Sequence, residues 1–188
     1  MKIIIGLGNP GEKFKNTRHN VGFDILDFFL QQNKHSVIEK NNESHISQTI
    51  IGTQKSLLIK PQMYMNLSGI VVRTILKKYS IKIEDILVIV DDVYLSEGEI
   101  KLKPQGGHGG HNGLRNIINC CGTKQFKRLK IGVDYDSNVA LDKYLLTSLK
   151  FSSQNHIYKK IDSIFDIIKK FIKGVDFNIL MSCYNSKN

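Results

Sequence analysis

The run Lys2 to Leu7, KIIIGL, is short, rich in β-branched residues and closed by Gly6 and Gly8. That is the pattern of a strand buried on both faces. Helical spacing begins only at Val21, with Ile25, Phe28 and Phe29 recurring on one side. Between strand and helix lies a loop rich in Gly, Pro and Asn that carries Asn9, Arg18, His19 and Asn20. Loops at such strand ends are where open α/β sheets bind ligands, which makes His19 the candidate reactive group.

The same loop spells G-x-G-x-x-G as Gly6, Gly8 and Gly11, so a dinucleotide fold must be weighed. Pro10 has no N–H to offer a pyrophosphate, and no helical periodicity starts at the third glycine. The acidic residue expected to close a second strand about 20 residues on is missing too, because that region is the helix. A structural turn carrying a surface histidine is the plainer alternative.

The chain of 188 residues can bury one sizeable core, and no Ser/Pro-rich linker divides it, so one domain over residues 1–188 is expected. No stretch approaches the ~18 apolar residues of a membrane span, and the N-terminus enters a strand without a leader-type apolar run. A soluble, unexported, cytoplasmic protein with no membrane partner is the expectation. Three cysteines, two of them adjacent at Cys120 and Cys121, make a disulfide framework improbable and suit a reducing compartment. A net charge of +10 favours a polyanionic partner, but the placement of the lysines has to decide whether that partner is a nucleic acid.

Ile46 to Ile51 and Ser56 to Lys60 read as a hairpin around a short polar loop, which makes the sheet mixed. Pro61 ends the second strand, and the segment from Gln62 to Gly69 leads into a helix bearing Val71, Val72, Ile75 and Leu76. Asn66 or Ser68 would serve as its N-cap on the simplest reading. Ile86 to Val90 is another buried-strand run and ends in Asp91-Asp92, where a partner for an imidazole would be needed if this strand neighbours the first. Glu99 to Leu102 and Lys127 to Val133 are further strand candidates.

Between those two strands, Gln105 to Arg115 is glycine-rich and opens a helix over about Asn112 to Cys120, whose free N–H groups could meet a phosphate or a carbonyl. His108 and His111 are three apart, yet no H-E-x-x-H or C-x-x-C accompanies them, so local bonding within the loop is expected and no metal or cofactor. Asn138 to Leu149 reads as helical. A long helix from about Ser153 to Lys173 follows, with Lys159, Lys169, Lys170 and Lys173 opposite its apolar face. Those lysines are either a solvated face or a strip for a nucleic-acid backbone.

Three separated stretches together resemble one family: Gly6 to Gly11 with Thr17-Arg18-His19-Asn20, then Met65 to Gly69, then Gly106 to Arg115. The chain resembles bacterial peptidyl-tRNA hydrolase over nearly its whole length. The resemblance implies a single α/β domain with a mixed, twisted central sheet flanked by helices. It also implies a monomer that cleaves the ester between a stalled peptide and its tRNA, with tRNA as its partner. By position, His19 matches the catalytic base and Asp91 the carboxylate that holds it. Asn9, Asn66 and Asn112 match amides that line the cleft, Asn9 being tied to telling peptidyl from free aminoacyl esters. Phe14 and Tyr64 join Asn66 and Asn112 as expected substrate or tRNA contacts. Phe14 stands where the family usually has Tyr, and Met63 where Thr is common, so those hydroxyls are absent here.

An aminoacyl ester is labile enough for an activated water and charge stabilisation to suffice, and the chain lacks the G-x-S-x-G elbow of serine esterases. Two rivals are an RNA-binding protein of this fold without hydrolysis, against which His19, Asp91 and the three asparagines stand, and a nucleotide-dependent enzyme.

Overall fold

The structure, a computed structural model, describes residues 1–149 and 155–185. In chain order it comprises β1 (Lys2–Gly6), α1 (Val21–Gln32), β2 (His35–Lys40), β3 (Ser44–Ile51), β4 (Gln54–Pro61), α2 (Ser68–Lys78), β5 (Ile86–Asp92), β6 (Ile100–Lys103), α3 (Asn112–Cys121), β7 (Lys127–Gly132), α4 (Leu141–Leu145), α5 (Ile161–Ile172) and α6 (Phe177–Tyr184).

The strands form one sheet in the order β2-β3-β4-β1-β5-β7-β6. β1 is central and parallel to both β4 and β5, and β5 is parallel to β7. The hairpin β3–β4 and the pairs β2–β3 and β6–β7 are antiparallel, so the sheet is mixed, as the hairpin required. Every residue of β5 is buried, because helices cover both faces of the sheet here. Alternation sorts the core into two layers. Ile4, Leu58, Leu87 and Ile89 meet α1 and α5 on one face; Ile3, Ile5, Leu57 and Val88 meet α2 and α3 on the other. Each such fully buried side chain contributes roughly 1.5–3 kcal/mol.

The α1 layer is set unusually close at one point. A Cβ on Gly6 would lie 2.3 Å from the Gly22 carbonyl oxygen, and one on Gly22 would lie 2.5 Å from the Leu7 nitrogen. The first turn of α1 therefore rests directly on the end of β1, and the loop between them, with His19 just before the helix, is pulled over the C-terminal edge of the sheet.

Several expectations need correcting. β2 is not foreshadowed by an apolar alternation, since it is an edge strand with Val37 and Ile38 largely exposed. The helix expected over Asn138 to Leu149 shrinks to α4. Beyond it the chain pairs instead with the reactive loop: the Arg18 N–H donates to the Thr147 carbonyl, the Leu149 N–H donates to the Asn16 carbonyl, and Thr17 bridges Ser148. The helix expected from Ser153 starts outside the described residues at that end; α5 proper begins at Ile161, after a single 3₁₀ turn over Tyr158–Lys160. α6 carried no clear sequence signal. Of the lysines on the polar face, Lys170 is paired with Asp166 at 2.8 Å and with the Tyr184 hydroxyl at 2.8 Å.

Gly22→Ala is expected to lower unfolding stability by ~3 kcal/mol, because its methyl group meets backbone that cannot retreat. A denaturation midpoint within experimental error of the parent's would show that α1 can lift from β1 without penalty.

Candidate active site

β1 and β5 run parallel with Gly6 opposite Ile89, so the residues following β1 and those ending β5 emerge side by side. The Leu7 N–H donates to the Ile89 carbonyl and extends that contact by one residue. After the loop, a 3₁₀ turn over Arg18–Asn20 carries His19, and β5 ends in Asp91 and Asp92.

His19 is 8% exposed and Asp91 5% exposed. The His19 Nδ1 stands 3.0 Å from each Asp91 carboxylate oxygen. A carboxylate only accepts, so Nδ1 carries the proton and Nε2 keeps its lone pair. Burial pushes the His19 imidazole down, but the Asp91 charge and hydrogen bond outweigh it, and its pKa stands above the ordinary 6.5. Burial would likewise raise the Asp91 carboxyl; the facing imidazoles of His19 and His111 overcome this and hold it well below the usual carboxylate range.

His111 is the second partner. Its Nε2 lies 3.0 Å from Asp91 Oδ1, and its ring centre 4.9 Å from that of His19. As the N-cap of α3 its Nδ1 accepts from the Gly113 N–H at 3.1 Å and the Leu114 N–H at 3.3 Å. Nδ1 therefore cannot bear a proton, which places it on Nε2, donating to Asp91. Ligand atoms from His19, Asp91 and His111 lie within 4.8 Å of one another, a spacing a metal could use. The donor set does not suit one, since both histidines present N–H groups to the carboxylate and the helix cap would have to break to change that.

His108 bonds locally, as expected, with Nδ1 accepting from the Gly110 N–H at 3.0 Å. Behind the glycine-rich segment Arg128, 1% exposed, donates to the carbonyls of Gly106, of Gly107 at 2.6 Å and of Lys124 at 3.4 Å. Burial lowers its pKa to about 10, which still leaves it charged at neutral pH. One guanidinium thus ties the chain entering α3 to the chain leaving it.

A cleft of about 400 Å³ opens beside the imidazoles, and His19, Asp91, His111, Asn112, Tyr94 and Lys130 are among its lining. Asp92 serves the rim: it accepts from the Tyr94 N–H at 2.9 Å and from Lys130 at 2.5 Å, so the two neighbouring carboxylates have separate tasks. Asn112 is exposed at the start of α3, its Oδ1 accepting from Arg115 at 3.2 Å. Asn9 is fixed from two sides. Its backbone exchanges two 2.9 Å bonds with the Asn20 side chain, and its Oδ1 accepts from the Met65 N–H at 2.8 Å, which leaves the amide N–H₂ as the end that can donate.

Tyr64 and Met63 line a second hollow with Pro10 and Leu67, and the Phe14 ring meets Tyr64 edge-on at 6.3 Å. Phe14 is half-buried and Asn66 exposed. Of the residues expected from sequence, His19, Asp91 and Asn112 line one hollow and Tyr64 the next, with the Phe14 ring against Tyr64 and Asn9 bonded to the Met65 turn. What sequence reasoning missed is the link of His111 to Asp91. Its signal was position, one residue before a helix start and on a loop able to reach a strand end.

Known proteins match this chain throughout. The family model described as Peptidyl-tRNA hydrolase matches residues 3–188. A peptidyl-tRNA hydrolase of Onion yellows phytoplasma (strain OY-M) is 64% identical over 187 residues, covering 100% of both chains. That of Staphylococcus saprophyticus is 40% identical over 188 residues, covering 100% of this chain and 99% of its own. The crystal structure of peptidyl-tRNA hydrolase from Acinetobacter baumannii superposes with a TM-score of 0.89 at 30% identity, covering 100% of this chain and 96% of that one. On the family match, the relatives and the shared fold, the chain belongs to the peptidyl-tRNA hydrolase family and is an ester hydrolase that releases peptide from tRNA.

Proposed function

We propose that His19 is the general base of this hydrolysis and Asp91 its orienting carboxylate. The observation that carries this is the buried Nδ1–H bond to Asp91, which leaves Nε2 as the one basic nitrogen His19 can offer at the cleft. Nε2 takes a proton from water, and the resulting hydroxide adds to the ester carbonyl carbon. As the tetrahedral species collapses, the C–O bond to the tRNA breaks and the leaving oxygen recovers the proton from the imidazolium. Asp91 stabilises the imidazolium throughout and fixes the tautomer. His111 donates to the same carboxylate and stops it from turning away.

Asn9, with only N–H₂ left to donate, and Asn112, at the α3 N-terminus, are suited to the developing oxyanion and to carbonyls of the peptide; one such donor is worth ~3 kcal/mol. Asn9 is also the residue we assign to distinguishing peptidyl from free aminoacyl esters. Asn66 and the Phe14–Tyr64 pair would contact substrate beyond the ester. Recognition by amides and stacking suits a substrate that varies in sequence. We assign a monomer, as the family resemblance implies, and a cytoplasmic setting, to which the free Cys120, Cys121 and Cys183 are suited. No helix among the described residues is long and apolar enough to cross a membrane.

His19→Ala should lower kcat at least ~10²-fold while leaving the affinity for tRNA nearly intact, and Asp91→Asn should lower it by ~10²- to 10⁴-fold. Release of labelled peptide from peptidyl-tRNA in single-turnover assays measures both. Near-parental turnover by His19→Ala would remove the base from the scheme.

For Phe14 the expectation concerns the ring. Phe14→Tyr should change kcat/KM by no more than about threefold, whereas Phe14→Ala should lose ~1–3 kcal/mol of binding, largely in KM. Melting temperatures of the same proteins separate this from a packing defect, in which activity would fall only with the folded fraction.

A further inference from the structure

The turn that carries Asn66 has no cap of its own. A 3₁₀ turn over Met65–Leu67 runs straight into α2, Leu67 occupies the N-cap position, and no side chain there bonds the free N–H groups. Ser68, one of the two residues expected to cap, donates its hydroxyl back to the Met65 carbonyl at 2.8 Å instead. Asn66, the other, is exposed and takes no part.

The missing acceptor comes from the next helix. Asn116 Oδ1 accepts from the Gly69 N–H at 2.7 Å, so α2 is capped from α3. The helices touch there at two glycines. A Cβ on Gly69 would sit 2.2 Å from the Asn116 carbonyl oxygen, and one on Gly113 would sit 2.6 Å from the Met65 sulfur. At its other end the same turn is anchored by Asn9, whose Oδ1 takes the Met65 N–H at 2.8 Å. Asn66 therefore lies between two anchors, each an asparagine oxygen from another segment. Asn116 also lies four residues after Asn112 on α3, one helical turn below it on the same side.

We propose that Asn116 is a positioning residue that fixes Asn66 relative to Asn112, so that the two amides meet the substrate at a set separation. Capping from the neighbouring helix leaves the Asn66 side chain out of local structure and available to the substrate, and makes the start of α2 move with the start of α3. The inference rests on the assignment of Asn66 and Asn112 to substrate binding made above.

A double-mutant cycle tests it. Asn116→Leu removes the acceptor at similar volume, and Asn116→Asp keeps it. Kinetics with peptidyl-tRNA are measured for each, alone and with Asn66→Ala, well below the melting temperature of every variant. Asn116→Leu is expected to raise KM by about 5- to 20-fold in the parent but less than about twofold in the Asn66→Ala background, and Asn116→Asp to stay within about twofold of the parent. Equal effects in both backgrounds, or no effect in the parent, would overturn the inference and leave the binding assignment standing. Parental kinetics for Asn66→Ala alone would overturn the assignment and the inference with it. Should Asn116→Leu fail to fold, Asn116→Ser, whose hydroxyl is too short to reach Gly69, enters the same cycle with the same expected outcomes.

Discussion

The structure depends most on one buried carboxylate held between two imidazoles. An isolated carboxylate at the depth of Asp91 would take up a proton, since burial penalises its charge. It stays ionised because two N–H donors, from His19 and His111, face it at 3.0 Å. The arrangement has opposite consequences for stability at the two ends of the pH scale. The depressed Asp91 contributes stability above its ordinary value of 3.8 and loses it as pH falls through its folded-state pKa. The raised His19 contributes fully below its ordinary 6.5 and loses that contribution as pH rises through its folded-state pKa. The neutral His19 needed as a base is thus the less stabilised form, and the fold has to hold the ring in place by other means.

Those means are geometric. Parallel pairing of β1 with β5 brings the two reactive ends together, and the contact between Gly6 and Gly22 presses the His19 turn onto them. The chain after α4 pairs with that turn from outside through Thr147 and Ser148. His111 is fixed by capping α3, and α3 by Arg128, whose charge is dispersed over three backbone carbonyls. Asparagines perform much of the remaining work: Asn20 holds Asn9, Asn9 holds Met65 and Asn116 holds Gly69. Such amides link segments without adding charge beside the buried Asp91 carboxylate.

Much of this was legible in the sequence. Short apolar strands ending in Gly or Asp put His19 and the Asp91-Asp92 pair within reach of each other on condition that the two strands are neighbours, which their parallel pairing meets, and the glycine-rich stretch marked the start of α3. The choice of Asp91 over Asp92 came from resemblance alone; in the structure β-strand alternation puts Asp91 on the row of Leu87 and Ile89, under α1, while Asp92 turns to Lys130. His111 was read as a loop histidine because a cap and a second carboxylate contact leave no distinct spacing. The caps of α2 were misassigned because its acceptor, Asn116, lies 47 residues away. β2 was invisible because an exposed edge strand needs no apolar alternation, and the helix expected to Leu149 gave way to pairing with the His19 loop, a tertiary contact that overrides local propensity. The lysine strip of α5 was visible as a pattern, but not the pairing of Lys170 with Asp166 and Tyr184.

The most direct test of this account is the titration of the His19 ring by NMR, in the parent and in Asp91→Asn. With the carboxylate in place the pKa should lie above 6.5, because the facing charge outweighs burial; without it burial alone remains, and the value should fall below 6.5. The acid limb of kcat/KM in the parent should follow the same pKa, rising with pH as His19 loses its proton. A His19 that titrates at the same pH in both proteins would contradict the claim that Asp91 sets the state of the base.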